Sequence, residues 1–255
     1  MVKVITVHSF KGGTGKSLIA TNLAVLYATK GLPTCLVDMD FRAPTLYVAF
    51  TPSNVKRWFN DYLDGRCKAE EALIDLTEQL KLKMKFNVAF ANPSPEAIRE
   101  MMAKSTSWER EALGRLLDFI RKLGQLGYER CIIDTSPGYL YSSINALVAA
   151  DVAVVVLTAD DSDVEGTRRM LSELYRLLER KVAIVVNKVI GVTSEEDKAE
   201  ISKKMKETLN EEVIGVIPCS CDVATQSRKL IYVLENLEHP FTKELESIVQ
   251  RIELA

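Results

Sequence analysis

The sequence predicts an α/β protein built on a mostly parallel central sheet with helices on both faces. Short apolar runs alternate with longer amphipathic segments along the whole chain, as they do in βαβ units. Several of these runs are continuous stretches of Val and Ile, which is typical of strands that are covered on both faces. No linker rich in Pro, Gly or Ser interrupts the pattern, so we expect a single domain over residues 1–255.

The individual elements follow from this alternation. In chain order, the apolar runs predict strands at Val2–Val7, Thr34–Val37, Asn87–Ala91, Cys131–Ile133, Val152–Leu157, Val182–Val186 and Val213–Ile217. The amphipathic segments predict helices at Lys16–Lys30, Val55–Leu63, Ala69–Leu76, Glu109–Leu126, Val164–Leu178, Glu195–Leu209, Val223–Leu234 and Phe241–Ile252. The least regular part is residues 42–105, with four prolines and an aromatic cluster, and we expect family-specific surfaces there.

The composition is that of a globular protein. Apolar residues make up 47% of the chain and charged residues 27%, which argues against a disordered, collagen-like or coiled-coil chain. The 33 basic and 35 acidic side chains give a net charge of −2, so tight binding to a nucleic acid backbone would need a local basic patch. Five irregularly spaced cysteines do not predict a disulfide framework, and no apolar run is long enough to span a membrane. We therefore expect a soluble, cytoplasmic protein.

The strongest functional signal is Phe10–Ser17, with the sequence Phe-Lys-Gly-Gly-Thr-Gly-Lys-Ser, between the first predicted strand and the first predicted helix. This is the context of a phosphate-binding P-loop, where glycines let the backbone approach an anion and the amides at the helix start point at it. Lys16 is expected to contact the β- and γ-phosphates, and the Ser17 hydroxyl to bind Mg²⁺. One position departs from the usual pattern, because Phe10 stands where a glycine is expected.

The loop resembles the deviant Walker A motif of the MinD/ParA ATPases, in which the additional lysine, here Lys11, is diagnostic. Further motifs follow in the order of that family. Asp38–Asp40 resembles its switch I segment, Asp134–Gly138 resembles its switch II segment, and Asn187 and Pro218 lie at strand ends where these proteins hold adenine. The chain is therefore identified as a member of this family of P-loop NTPases, with ATP and Mg²⁺ as its ligands.

The resemblance implies a role for each matched residue. Lys16 stabilises charge on the transferred phosphoryl group, Lys11 does so from the partner subunit of an ATP-sandwich homodimer, and Asp40 positions the attacking water. The implied Mg²⁺ site consists of Ser17, Asp38 and Asp134, the aspartates acting through metal-bound water. The implied nucleotide contacts are Gly12, Gly13, Thr14, Gly15, Lys16, Ser17, Leu18, Asn187, Pro218 and Cys219.

By this resemblance, the predicted function is a slow ATPase that dimerises on ATP, responds to an activator protein, and positions a division site, DNA or a large assembly. It would then act at a membrane or nucleoid surface. Two alternatives stay open. A metallocentre-assembly or iron–sulfur carrier ATPase would bind metal through Cys219 and Cys221 of two subunits, and a non-hydrolysing switch would only bind nucleotide. A related class, the bacterial tyrosine kinases, is disfavoured because Tyr232 stands alone near the C-terminus.

Two surface features allow either a structural or a binding interpretation. The apolar face of the predicted helix Phe241–Ile252 favours docking on the core over membrane binding, because acidic residues outnumber basic ones on this segment. Lys81, Lys83 and Lys85 alternate with apolar residues, which favours an edge strand protected by lysine over a docking patch for an acidic partner. The sequence assigns no role to His8.

Overall fold

The structure is a computed structural model that describes residues 1–225 and 231–254. Its centre is one eight-stranded sheet. In chain order the strands are β1 (Lys3–His8), β2 (Thr34–Met39), β3 (Ile74–Asp75), β4 (Phe86–Ala89), β5 (Arg130–Thr135), β6 (Val152–Leu157), β7 (Lys181–Val189) and β8 (Val213–Pro218). Across the sheet the order is β3-β4-β2-β5-β1-β6-β7-β8, and only the β3–β4 pair is antiparallel among these neighbours. The predicted mostly parallel sheet is confirmed.

Helices cover both faces of this sheet. They are α1 (Lys16–Thr29), α2 (Leu46–Phe50), α3 (Phe59–Leu63), α4 (Pro95–Met102), α5 (Thr106–Gln125), α6 (Tyr141–Ala149), α7 (Asp161–Met170), α8 (Arg176–Leu178), α9 (Glu195–Leu209), α10 (Cys221–Thr225) and α11 (Pro240–Leu254). A π-helical turn, Leu171–Tyr175, joins α7 to α8. Helices α1 and α11 pack on one face, and α5, α6, α7 and α9 pack on the other. Strands β2 and β6 are buried along their whole length, as continuous apolar runs predict.

The C-terminal helix α11 docks on the core, as the sequence favours. Its apolar side chains, among them Leu245 and Ile248, are fully buried against the sheet. Two polar side chains of the same helix bond backbone groups of β8, the last strand of the sheet. Glu244 Oε1 accepts from the Val216 N–H (3.3 Å), and Arg251 Nη1 donates to the Val213 carbonyl (3.4 Å). The apolar face of α11 is therefore committed to the interior.

Two helices predicted within residues 42–105 differ in the structure. The helix predicted at Val55–Leu63 begins only at Phe59, because the N–H of Trp58 bonds the Asp61 carboxylate and fixes the helix start there (3.0 Å). The helix predicted at Ala69–Leu76 is wrong. A single 3₁₀ turn ends at Ala72, and the chain then forms β3, whose two residues pair with β4.

Two other predictions also need correction. The segment containing Lys81, Lys83 and Lys85 is a turn and a bend, not an edge strand, and Lys81 has a left-handed backbone (φ 53°) that no strand allows. Of the helix predicted at Val223–Leu234, the structure describes a helical segment up to Thr225. Residues 226–230 of that prediction lie outside the described residues, and residues 231–234 are irregular and turn structure, not helix.

The strand order determines where a ligand can bind. From β1, the chain reaches β2 on one side of the sheet, with β5 between them, and the later strands β6, β7 and β8 lie on the other side. Such a change of direction opens a crevice at the carboxyl ends of the strands. The loop after β1 and the ends of β2, β5, β7 and β8 meet there, and these are the segments that carry the predicted site residues. Among the described helices, none is long and apolar enough to cross a bilayer.

Candidate functional site

The phosphate loop between β1 and α1 is held open by glycine and by contacts from β7. Gly13 and Gly15 have left-handed backbones (φ 82° and 95°), which favour glycine. Asn187 Nδ2 donates to the Thr14 carbonyl and Lys188 Nζ donates to the Gly13 carbonyl, both at 2.7 Å. Because these carbonyls are bound from the β7 side, the loop amides at the start of α1 are left to face an anion.

A substitution at Gly15 tests whether the contact between Asn187 and the phosphate loop, which we call the glycine cradle, is needed for folding and binding. A Cβ atom at Gly15 would overlap the Asn187 amide, and the backbone there is left-handed. We expect Gly15→Ala to lower the free energy of unfolding by about 2–4 kcal/mol and to abolish nucleotide binding. Gly31→Ala is the matched control, because Gly31 has the same backbone region (φ 90°) with no atom within 4 Å of the added Cβ. Urea unfolding and nucleotide titration measure both effects, and equal losses in the two variants would contradict the proposed role of the Asn187 contact.

Three carboxylates and one lysine converge at the ends of β2 and β5. Asp38 and Asp134 are direct register partners on these two strands, and both are fully buried. Lys16 Nζ lies 3.4 Å from Asp134 Oδ1 and 4.0 Å from Asp40 Oδ2. Asp40 is fixed by two donors to its Oδ1, the Ser136 hydroxyl at 2.7 Å and the Ala43 N–H at 3.2 Å. The site therefore brings together the residues predicted from the two switch segments and the P-loop.

Burial dominates the electrostatics of this cluster. It raises the pKa of the Asp38 carboxyl well above its ordinary value, and the neighbouring Asp134 and Asp40 charges raise it further. Burial also raises the pKa of Asp134, although the positive charge of Lys16 opposes that rise. One ammonium group faces three carboxyls, so the cluster lacks positive charge. A bound cation would supply it.

The donor set fits a hard divalent cation. Asp38 Oδ2 and Asp134 Oδ2 are buried and have no hydrogen-bond partner among the described residues. Carboxylate, hydroxyl and water oxygens are the ligands of Mg²⁺, which is usually bound by one or two protein groups together with substrate phosphates. In residues 1–225 and 231–254, no three His, Cys, Asp or Glu side chains form a metal cage of their own. The residues thus fit a metal that is bound together with phosphate.

A cavity of about 970 Å³ extends from the phosphate loop to the ends of β7 and β8. Leu18, Asp40, Pro218 and Cys219 line it, so the predicted phosphate-side and adenine-side residues share one space. Asn187 lines it too, but its amide nitrogen is already bound to the phosphate loop. In the structure Asn187 therefore positions the phosphate loop through its side-chain nitrogen, and only its side-chain oxygen is left for a contact with a ligand.

Lys11 lies apart from the carboxylate cluster. Its Nζ donates to Asp160 Oδ1 at 2.9 Å and to the Ser162 hydroxyl at 3.2 Å. Asp160 also caps α7, because its carboxylate accepts the N–H groups of Ser162 and Asp163. The hydrogen bond that Lys11 donates to Asp160 raises the pKa of Lys11, and the same bond lowers the pKa of Asp160. Within its own chain, this lysine therefore binds the start of α7.

Sequence reasoning missed two residues that shape the site. Ser136 holds the Asp40 carboxylate, and its place between Asp134 and Pro137 in the switch II segment was the available signal. Lys188 holds the phosphate loop, and its left-handed backbone (φ 58°) could not be foreseen from the sequence. Both residues position other groups of the site.

Comparison with known proteins agrees with this geometry. A family model described as the CobQ/CobB/MinD/ParA nucleotide binding domain matches residues 5–231. The chain belongs to this family. Among curated MinD/ParA relatives, the septum site-determining protein MinD of Thermotoga maritima is 26% identical over 255 residues, which cover 99% of this chain and 88% of that protein.

Solved structures of the MinD/ParA family show the same fold. The cell division ATPase MinD of Pyrococcus furiosus superposes with a TM-score of 0.78 at 20% identity, covering 100% of both chains. The septum site-determining protein MinD of Pyrococcus horikoshii, solved as a complex with Mg-ADP, gives a TM-score of 0.78 at 18% identity, covering 99% of this chain and 96% of that one. The predicted family and fold are thus confirmed.

Proposed function

We propose that this member of the MinD/ParA family is a Mg²⁺-dependent ATPase that dimerises around ATP and serves as a spatial-positioning switch. One observation carries the proposal. Lys16 and the glycines of the phosphate loop line one cavity at the carboxyl edge of the sheet, and the buried carboxylates of Asp38 and Asp134, each with an unpartnered oxygen, lie behind Lys16 at the strand ends. The described relatives support it, since one is a cell division ATPase and another was solved with Mg-ADP.

The residues of this chain divide the work of phosphoryl transfer. The loop amides and Lys16 would bind the phosphates, and Ser17, Asp38 and Asp134 would hold Mg²⁺ directly or through water. When bound, Mg²⁺ neutralises negative charge on the phosphate oxygens. Asp40 would orient the attacking water with the carboxylate that Ser136 and Ala43 fix in place.

Lys11 has a separate part in the proposal. Its ammonium group would leave Asp160 and enter the site of the partner subunit, where it would stabilise charge on the transferred group as an arginine finger does. The exposed Lys11–Asp160 ion pair is a weak restraint on such a movement, since both side chains are accessible to water (37% and 57%). Hydrolysis would then require dimerisation, and a partner protein that stabilises the dimer would stimulate turnover.

The function can be tested with the purified chain. We expect ATP turnover that requires Mg²⁺ and disappears in EDTA, and a dimer, measured by light scattering, that forms with ATP and not with ADP. Lys16→Ala is the control that loses nucleotide binding. Tight ATP binding without any turnover would instead identify the non-hydrolysing switch.

A second arm of the test addresses the cysteines. Cys219 and Cys221 are both exposed, and Cys219 lines the nucleotide cavity. Under the proposed function, Cys219→Ser with Cys221→Ser leaves turnover at saturating ATP within about twofold, because neither sulfur takes part in phosphoryl transfer and any weaker contact of residue 219 with the nucleotide affects only the KM. Metal bound at one ion per dimer and lost in the double variant would identify the metallocentre or cluster carrier.

A further inference from the structure

His8 occupies an unusual place at the end of β1, directly before the phosphate loop. Its ring is fully buried and bonded at both nitrogens. Nε2 lies 2.9 Å from the Gly138 carbonyl oxygen in the switch II segment, and Nδ1 lies 2.6 Å from the Tyr175 hydroxyl at the end of the π-helical turn. This one side chain therefore joins segments that are far apart in the sequence.

The partners determine where the protons are. A carbonyl oxygen only accepts hydrogen bonds, so His8 Nε2 carries a proton and donates to Gly138. Burial lowers the pKa of His8 to about 4, so the ring is neutral at physiological pH and Nδ1 has a lone pair. The Tyr175 hydroxyl must then donate the hydrogen bond to Nδ1. It remains protonated, because burial raises the pKa of Tyr175 well above the ordinary value. Tyr175 thus fixes the tautomer that lets His8 hold Gly138.

Gly138 attaches the switch II turn to the end of β1 and the start of the phosphate loop. Its backbone is left-handed (φ 78°), and its N–H donates to the Ser9 carbonyl at 2.9 Å. The turn is thereby attached to consecutive residues of the first strand and loop. Two residues earlier, the Ser136 hydroxyl holds the Asp40 carboxylate at 2.7 Å. A displacement of Gly138 would therefore be passed through Pro137 to the group that orients the attacking water.

Tyr175, the other hydrogen-bond partner of His8, belongs to a separate element of the fold. Tyr175 closes the π-helical turn after α7, and π turns interrupt helices frequently at functional sites. Helix α7, which leads into this turn, contacts the phosphate loop at two places. The ring of Phe10 packs so closely on Gly166 that a Cβ there would overlap it, and Lys11 binds Asp160 at the start of α7. The segment from α7 to Tyr175 thus contacts the loop near Asp160 and at Gly166, and contacts His8 at the end of β1 through Tyr175.

We propose that His8 is a positioning residue that couples the switch II turn to the π-helical turn after α7. Tyr175 selects the ring tautomer, His8 holds the Gly138 carbonyl, and the turn places Asp40 through Ser136. A movement of the π-helical turn would then alter hydrolysis without touching the nucleotide. In its kinetic consequence, this inference rests on the proposed ATPase.

Two substitutions of His8 separate its contact with Gly138 from its contact with Tyr175. In His8→Gln, the amide nitrogen takes the place of Nε2 and still donates to Gly138. In His8→Asn, the amide reaches only the place of Nδ1, so the contact with Gly138 is lost. Tyr175→Phe removes the hydroxyl alone. Tyr128→Phe is its matched control, because the Tyr128 hydroxyl is buried, lies next to the opposite end of β5 and has no partner among the described residues.

Hydrogen exchange of the nucleotide-free protein is the first readout. For peptides covering residues 136–141, we expect His8→Asn and Tyr175→Phe to speed exchange by roughly tenfold, since His8→Asn loses the donor to Gly138 and Tyr175→Phe no longer fixes the ring tautomer that carries this donor. His8→Gln and Tyr128→Phe should stay within about twofold of the parent protein. This readout needs no turnover, so it remains decisive if the proposed ATPase fails. If His8→Asn does not fold, Tyr175→Phe alone decides.

Steady-state kinetics is the second readout. We expect the same two variants to lower kcat by about fivefold to tenfold while the KM for ATP stays within about twofold, because the phosphate cradle is untouched. A merely structural histidine would instead lower the unfolding temperature without separating kcat from KM. The proposal is overturned if His8→Gln and His8→Asn behave alike in both readouts, or if Tyr175→Phe exchanges like the Tyr128→Phe control.

Discussion

Replacing Asp40 with Asn is expected to lower ATP turnover by at least about 100-fold while ATP affinity changes by less than about threefold. The amide has the size of the carboxylate and can still accept from Ser136 and Ala43, so the local structure should persist. What it loses is the negative charge and the second acceptor oxygen that would orient a water. Single-turnover hydrolysis and calorimetric ATP binding measure the two quantities.

Asp75→Asn provides the matched control for this experiment. Asp75 is an exposed residue of β3 at the far edge of the sheet, so the same change of charge occurs away from the site. We expect its turnover to equal that of the parent protein. Unchanged turnover in Asp40→Asn would refute the role proposed for Asp40, and a parallel loss of ATP affinity would assign Asp40 to nucleotide binding instead.

Replacing Lys11 with Ala is expected to leave ATP binding by the monomer intact and to reduce turnover by about 100-fold or more, with loss of the ATP-dependent dimer. The reason is geometric. In its own chain Lys11 binds Asp160 and Ser162, so its removal takes no group from the carboxylate cluster around Lys16. Light scattering with ATP measures the dimer, and a fluorescent nucleotide measures binding.

Asp160→Asn tests the same mechanism in the opposite direction. The asparagine oxygen can still cap α7, but the charge that holds Lys11 is gone. We expect the dimer to form at a lower ATP concentration, by a factor of less than about five, because exposed ion pairs are weak. A Lys11→Ala protein with full turnover and normal dimers would exclude the action of Lys11 on the partner subunit.

The features that could be predicted from the sequence are those that depend on local pattern. The continuous apolar run of β6 predicts a buried parallel strand, and the Gly-Gly-Thr-Gly-Lys loop predicts an anion site wherever it follows a strand. Because parallel strands end at one edge, Asp38 and Asp134 could be expected together, and the register of β2 and β5 makes them direct neighbours.

The features that could not be predicted depend on contacts between distant residues. Strand β3 exists only because two residues find β4, and His8 meets Tyr175 across 167 positions of sequence. Helix α4 is a different case. Ser94 caps it and Pro95 occupies its first turn, which is an N-terminal helix signal that was present in the sequence. The position of Lys11 could not be foreseen, since a long side chain selects among partners that only the fold supplies.

The two edges of the sheet affect how copies of the chain can aggregate at high local concentration. An unpaired strand edge is a template on which another copy of the chain can add a strand. At one edge of the sheet the exposed strand is β3, which is only two residues long. At the other edge, Glu244 and Arg251 of α11 form hydrogen bonds with backbone groups of β8. Copies concentrated on a surface would therefore resist fibril-like stacking. Under the proposed function, copies would associate through the loop edge of the sheet, where ATP binding and hydrolysis would make the contact reversible.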